Sequence, residues 1–192
     1  MKPTDLAQAR NRTIPDVLPE PGDPPLRVLF CGINPGLVSA ATGHHFARPG
    51  NRFWPALHGA GFTPRRLRPD EQYLLPTLGL GITNIASRAT ARADELSTAE
   101  LVAGGERLRD LVRDLRPAAL GVVGITAYRV AFSAPRAMVG PQPAVLGPTL
   151  VWALPNPSGL NAHWSLPAMV AEFTRFRDEL SDPFKTSDRQ RP

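Results

Sequence analysis

Two short glycine-bearing segments carry amide side chains of the kind that position a water or read the edge of a bound ring. The first is Gly32-Ile33-Asn34-Pro35-Gly36 and the second is Asn156-Pro157-Ser158-Gly159-Leu160. Glycine lets a backbone approach a ligand closely, and Pro35 stiffens the turn that holds Asn34. An asparagine amide can orient water through its oxygen but cannot take the water's proton. Taken alone, Asn-Pro-Gly also suits an ordinary turn. It is neither a dinucleotide fingerprint nor a phosphate loop, since Gly-x-Gly-x-x-Gly and Gly-Lys-Ser/Thr are absent there. Residues 39–54, SAATGHHFARPGNRFW, follow the first segment. Phe46, on a loop rich in small residues, suits stacking on a flat polar ring such as a nucleobase, whose edge amides and backbone N–H groups would read. Phe53 and Trp54 read as core residues of the helix that follows. His44 and His45 read as solvent-facing loop residues, and two adjacent histidines do not make a metal site.

These residues need a frame that brings them together. Residues 26–32, 78–85, 118–123 and 149–154 are short apolar runs of the kind that form buried strands. Helical patterns cover 51–61, 97–115, about 126–132 and 165–180. Ser97 and Glu100 form a capping box at the head of the second, with Leu101, Leu108, Leu111, Val112 and Leu115 on one face. Ser165 caps the last helix, with Met169, Val170 and Phe173 inward. Strands alternating with helices predict an α/β fold with a mostly parallel sheet covered on both faces. Ligands in such folds bind beyond the carboxyl ends of the strands. The first segment follows the first strand and the second follows the fourth, so both face one cleft.

The 192 residues suit one domain. Residues 1–25 read as a flexible proline-rich arm, 26–180 as the folded domain and 181–192 as a polar tail. The net charge is +5, and lysine occurs only at Lys2 and Lys185. A basic, arginine-dominated chain favours a polyanionic partner. The single cysteine, Cys31, excludes an internal disulfide and reads as a small buried hydrophobe. No signal peptide and no membrane span are evident, which points to a cytoplasmic protein; a monomer without cofactor or metal is expected.

VLFCGINPGLVSA, HFARPGNRFW and WALPNPSGL, in this order and spacing, resemble the mismatch-specific uracil/thymine-DNA glycosylases of the uracil-DNA glycosylase superfamily. The resemblance spans about residues 26–177. It implies a three-layer α/β/α sandwich with a central, mainly parallel short sheet. It implies that Asn34 positions the water that attacks the sugar, and that Phe46 stacks on a flipped base. Ile33 and Ser39 would shape the pocket, and Asn156 would face base and sugar. Gly159 and Leu160 would belong to a wedge entering double-stranded DNA opposite guanine. Where close relatives carry Ser-Arg after Gly-Leu, this chain has Asn161-Ala162-His163-Trp164. Asn161, with His163 or Trp164, would then stand at the plug, and opposite-strand contacts would be altered.

Residues 83–95, TNIASRATARADE, follow the second strand and should share the cleft edge. Asp94 is a candidate second catalytic group beside Asn34, and Glu95 a weaker one. Both also suit a plain helix-terminus role. Arg48, Arg52, Arg88 and Arg92 are candidates for phosphate contacts. No lysine lies near a motif, which favours a monofunctional glycosylase over a strand-cleaving lyase. A non-catalytic binder of damaged or abasic DNA on the same fold is the alternative.

Overall fold

The computed structural model describes residues 3–143 and 146–181. Four parallel strands form the heart of the sheet: β1 (Val28–Gly32), β2 (Leu80–Asn84), β3 (Ala119–Val123) and β5 (Leu150–Leu154). A two-residue strand, β4 (Gly140–Pro141), closes one side antiparallel to β5. The sheet order is β2-β1-β3-β5-β4. Every residue of the four parallel strands is buried, as expected of strands covered on both faces.

The register aligns the strand ends. Gly32 pairs with Asn84, and Val123 pairs with Leu154. The carboxyl ends of β1, β2 and β5 therefore lie along one edge, each ending at or two residues before an asparagine: Asn34, Asn84 and Asn156.

Alternation along β1 divides the core. Val28 and Phe30 point to the layer made by α3 (Phe53–Gly59) and α6 (Leu166–Ser181). There Phe30 meets Phe53 edge-on at 5.5 Å and lies parallel to Phe173 at 6.1 Å. Leu29 and Cys31 point to the opposite layer, made by α4 (Thr98–Leu115) and α5 (Ile125–Ala131). The result is the expected three-layer α/β/α sandwich. Cys31 is fully buried, and burial pushes its thiol well above the ordinary value, so it stays protonated.

The capping box at Ser97 forms as read: its hydroxyl accepts from the Glu100 N–H at 3.2 Å, and Glu100 accepts from the Ser97 N–H at 2.9 Å. What amphipathic spacing did not reveal is how closely α4 packs. A Cβ on Gly104 would come within 2.1 Å of the Ile85 carbonyl oxygen, and one on Gly105 within 2.2 Å of that of Ala131. Two glycines thus let α4 lie directly on the backbone beneath it.

The N-terminal segment departs from the expected loose arm. It opens with a short helix, α1 (Pro3–Gln8), and then lies along the body. Ala9 and Ile14 join Ala40 and Ala89 in a small separate core, packed beside α2 (Leu37–Thr42). Val17 exchanges two 2.8 Å backbone hydrogen bonds with Ile82 of β2. The prolines favour extended backbone, and isolated apolar residues anchor it, a pattern without periodicity. The tail expected over 181–192 lies, from 182 onward, outside the described residues, as do Lys2 and Lys185. No helix among the described residues is long and apolar enough to cross a membrane.

Candidate active site

A cleft of about 340 Å³ opens at the aligned strand ends, where Asn34, Ser39, Phe46 and Asn84 meet. A groove of about 360 Å³ adjoins it, sharing Asn34, Phe46 and Arg48 and adding Asp94, Asn156 and Leu160.

Asn34 is fixed by its nitrogen. Nδ2 donates to the Arg88 carbonyl at 3.0 Å and to the Thr90 hydroxyl at 2.7 Å. A carbonyl can only accept, so the orientation of the amide is settled by chemistry. Thr90 donates its own proton to the Arg92 carbonyl at 2.7 Å, leaving its lone pairs for Asn34. Among the described residues Oδ1 of Asn34 accepts no hydrogen bond, and it is the polar atom left to hold a water. Thr90 is buried, and its N–H donates to the Pro35 carbonyl at 3.2 Å. Sequence reasoning passed over Thr90 in favour of the carboxylates beyond it.

Asn84 was also missed as a site residue, although it ends a strand as Asn34 and Asn156 nearly do. It is buried, and its Nδ2 lies 3.3 Å from Nδ1 of His45. His45, expected on the surface, is only 2% exposed. Its Nε2 lies 3.0 Å from the Pro15 carbonyl, so Nε2 carries the proton and Nδ1 accepts from Asn84. The docked N-terminal segment contacts the ring through the Pro15 carbonyl, and Asn84 and Phe46 also lie beside it. Desolvation holds the pKa of His45 below the ordinary value, with His44 adding to it and Pro15 and Asp16 opposing it. The ring is neutral.

Phe46 adopts a left-handed backbone, with φ at 54°, unusual for a residue carrying a Cβ. One face of its ring stacks on Phe53 at 4.0 Å, and the ring lines the cleft. Ser39 is buried and helps hold this turn: its hydroxyl accepts from the Ala47 N–H at 3.2 Å. Gly32 must be glycine, since a Cβ there would meet Asn84 Oδ1 at 2.6 Å and Phe46 at 3.2 Å. The structure thus brings Asn34, Ser39 and Phe46 together. Ile33 turns aside against Gly124 and lines the groove instead.

The second segment forms a compact loop. Asn156 Oδ1 accepts from the Ser158 N–H at 2.9 Å, and the Asn156 carbonyl accepts from Asn161 Nδ2 at 2.9 Å. Gly159 packs on Gly50, where a Cβ would come within 2.8 Å of the carbonyl oxygen. Leu160 stands out at 74% exposed. His163 is exposed beside it, while Trp164 packs against the core.

Two of the four arginines do not fit the phosphate role expected of them. Arg52 donates to the carbonyls of Ser158 at 2.5 Å, Asn161 at 2.8 Å and Trp164. It is an internal clamp for the loop, because its planar fork matches several carbonyls at once. Arg88 pairs with Glu100 and donates to the Glu95 carbonyl at 2.9 Å, holding Glu100 down to about 2. Arg48 is exposed at the cleft mouth, and Arg92 is exposed beside it and paired with Asp94.

Asp94 lines the groove with Asn34. Glu95 does not face it: its carboxylate pairs with Arg10 at 2.5 Å and accepts from the Arg92 N–H at 2.9 Å. The Arg10 contact is the main reason its carboxyl lies below the ordinary value.

An oriented amide oxygen, a backed aromatic ring and an exposed apolar loop tip, at the aligned strand ends of a parallel sheet, suit hydrolysis at a base drawn out of a duplex. The family model of the uracil DNA glycosylase superfamily matches residues 19–181, and the chain belongs to that superfamily of DNA-repair hydrolases.

Proposed function

We propose that the protein is a monofunctional, mismatch-directed uracil-DNA glycosylase acting on double-stranded DNA. The observation that carries this reading is the tethered amide of Asn34, whose oxygen alone is left for a water. In the proposed reaction Leu160 enters the duplex and fills the space of the departing nucleotide. An exposed leucine on a glycine-bearing loop is of the right type for such a wedge. The flipped base stacks on Phe46, with Asn84 and backbone groups against its edge. Extrusion costs roughly a few kcal/mol, and less for a mispaired base, which favours a G·U pair over A·U.

Breaking the N-glycosidic bond places positive charge on the sugar and negative charge on the leaving base. The Asn34-held water adds to the sugar carbon, the bond electrons leave with the base, and the proton the water loses passes to solvent or to the departing base anion. Donors in the cleft stabilise that anion. Asn34 cannot accept the water's proton, so turnover is slow and depends on a good leaving group. Asp94, at the groove, is the candidate to assist the water or the sugar cation. No lysine falls in the motifs to form a covalent adduct with the sugar.

The test is incubation with labelled duplexes carrying G·U or A·U, followed by alkali. Strand breaks only after alkali, faster for G·U, are the expected result. Breaks without alkali would show a lyase. No breaks after alkali would leave a binder of damaged DNA.

A further inference from the structure

We infer that the N-terminal segment, residues 6–17, is the wall of the base cleft that limits which pyrimidines enter. This rests on the reading of the cleft as a base pocket. The segment lies outside the family-matched residues 19–181, yet Leu6 and Ile14 line the cleft with Asn34, Phe46 and Asn84. It is built in rather than draped. The Asn11 N–H donates to the Ala89 carbonyl at 3.0 Å, and the Ala89 N–H donates to the Arg12 carbonyl at 2.8 Å. Those bonds grip the same loop whose Arg88 carbonyl and Thr90 hydroxyl hold Asn34. The Pro15 carbonyl sets the tautomer of His45 and, through it, the direction of the Asn84 amide.

The chemistry of the ring says which side this wall faces. Uracil carries O2, N3–H and O4 consecutively along one edge and only C–H groups at C5 and C6. Two aliphatic side chains suit the C5–C6 edge, which has no polar atom, and not the O2–N3–O4 edge, where they would bury polar atoms without partners; Phe46 serves a ring face. Leu6 and Ile14 therefore act on the substituent at C5. They admit hydrogen and resist a methyl or a larger group, which makes them specificity-determining residues.

The experiment measures single-turnover release of uracil, thymine and 5-bromouracil, each opposite guanine, by the full chain and by its Leu6→Ala, Ile14→Val and Leu6→Phe variants. The same base leaves in variant and wild type, so each variant-to-wild-type ratio cancels leaving-group differences. Leu6→Ala and Ile14→Val should raise the ratio for the 5-substituted bases about tenfold over that for uracil, and Leu6→Phe should lower it. Equal changes on all three bases, or none, overturn the inference. A parallel NMR titration with free uracil keeps the two readings apart. Shifts at the Leu6 and Ile14 methyls together with Phe46 support the wall, and shifts at Phe46 without them overturn it. Neither release nor any shift overturns the base-pocket reading and the wall with it.

Discussion

Asn34 presents an acceptor to the cleft because its nitrogen is held by the Arg88 carbonyl and the Thr90 hydroxyl. That tether makes three predictions. Asn34→Ala should lower uracil release about a hundredfold or more with little change in duplex affinity, measured by single-turnover kinetics and equilibrium binding. Thr90→Val removes one hydrogen bond of about 1 kcal/mol and should cost roughly fivefold in rate. Asn34→Asp should not help despite adding a base, since its carboxylate would face the Arg88 carbonyl. His45 makes a prediction about pH. Its folded pKa is depressed, so the unfolded chain binds a proton that the folded chain refuses. The stability contributed by the neutral ring is complete above its ordinary value of 6.5 and is lost as pH falls from there toward the lower folded value. The melting temperature should drop from about pH 8 to about pH 5, and His45→Gln should flatten that slope. Equal slopes in both proteins would refute the assignment.

The loop of residues 156–164 separates packing from chemistry at the scale of an element. Leu160 is largely exposed, so Leu160→Ala should leave stability within about 0.5 kcal/mol. It should slow release from duplex far more than from single-stranded DNA, which a side-by-side rate comparison checks. Arg52→Lys should behave oppositely. An ammonium has its three donors on one nitrogen and cannot reach the spread of carbonyls that Nη1 and Nη2 of Arg52 hold separately, and the variant should lose about 1–3 kcal/mol in denaturant unfolding. The elements carrying these residues were largely readable in advance. Four apolar runs became the four parallel strands, and the Ser97 capping box started α4 where expected. The functions of Arg52 and Arg88 were not readable. Their partners are carbonyls and a carboxylate brought near only by folding, and a loop arginine has the same local signature whether it faces solvent or its own backbone. Asn84 was legible in principle, as the last residue of a strand at the same edge as the two motifs. Nothing local announced Thr90, and only the bond to Asn34 gives it a place.

For the molecule as a whole, the charge of +5 bears on DNA affinity more than on the fold. Arg48 and Arg92 stand at the mouth of the cleft, while Arg52 and Arg88 are engaged inside. Replacing Arg48 or Arg92 by alanine should weaken duplex binding uniformly across sequences and reduce the slope of log affinity against log salt by about 1 each. The pairing of Val17 with Ile82 has a further meaning at this scale. It covers the outer side of β2, as β4 covers that of β5, and an uncovered strand is a template for another chain. Trimming the N-terminus past Val17 should therefore turn a well-behaved protein into one that self-associates through its β2 margin, visible as growing light scattering on storage. A shorter trim, ending before Ala9, should leave that margin sealed.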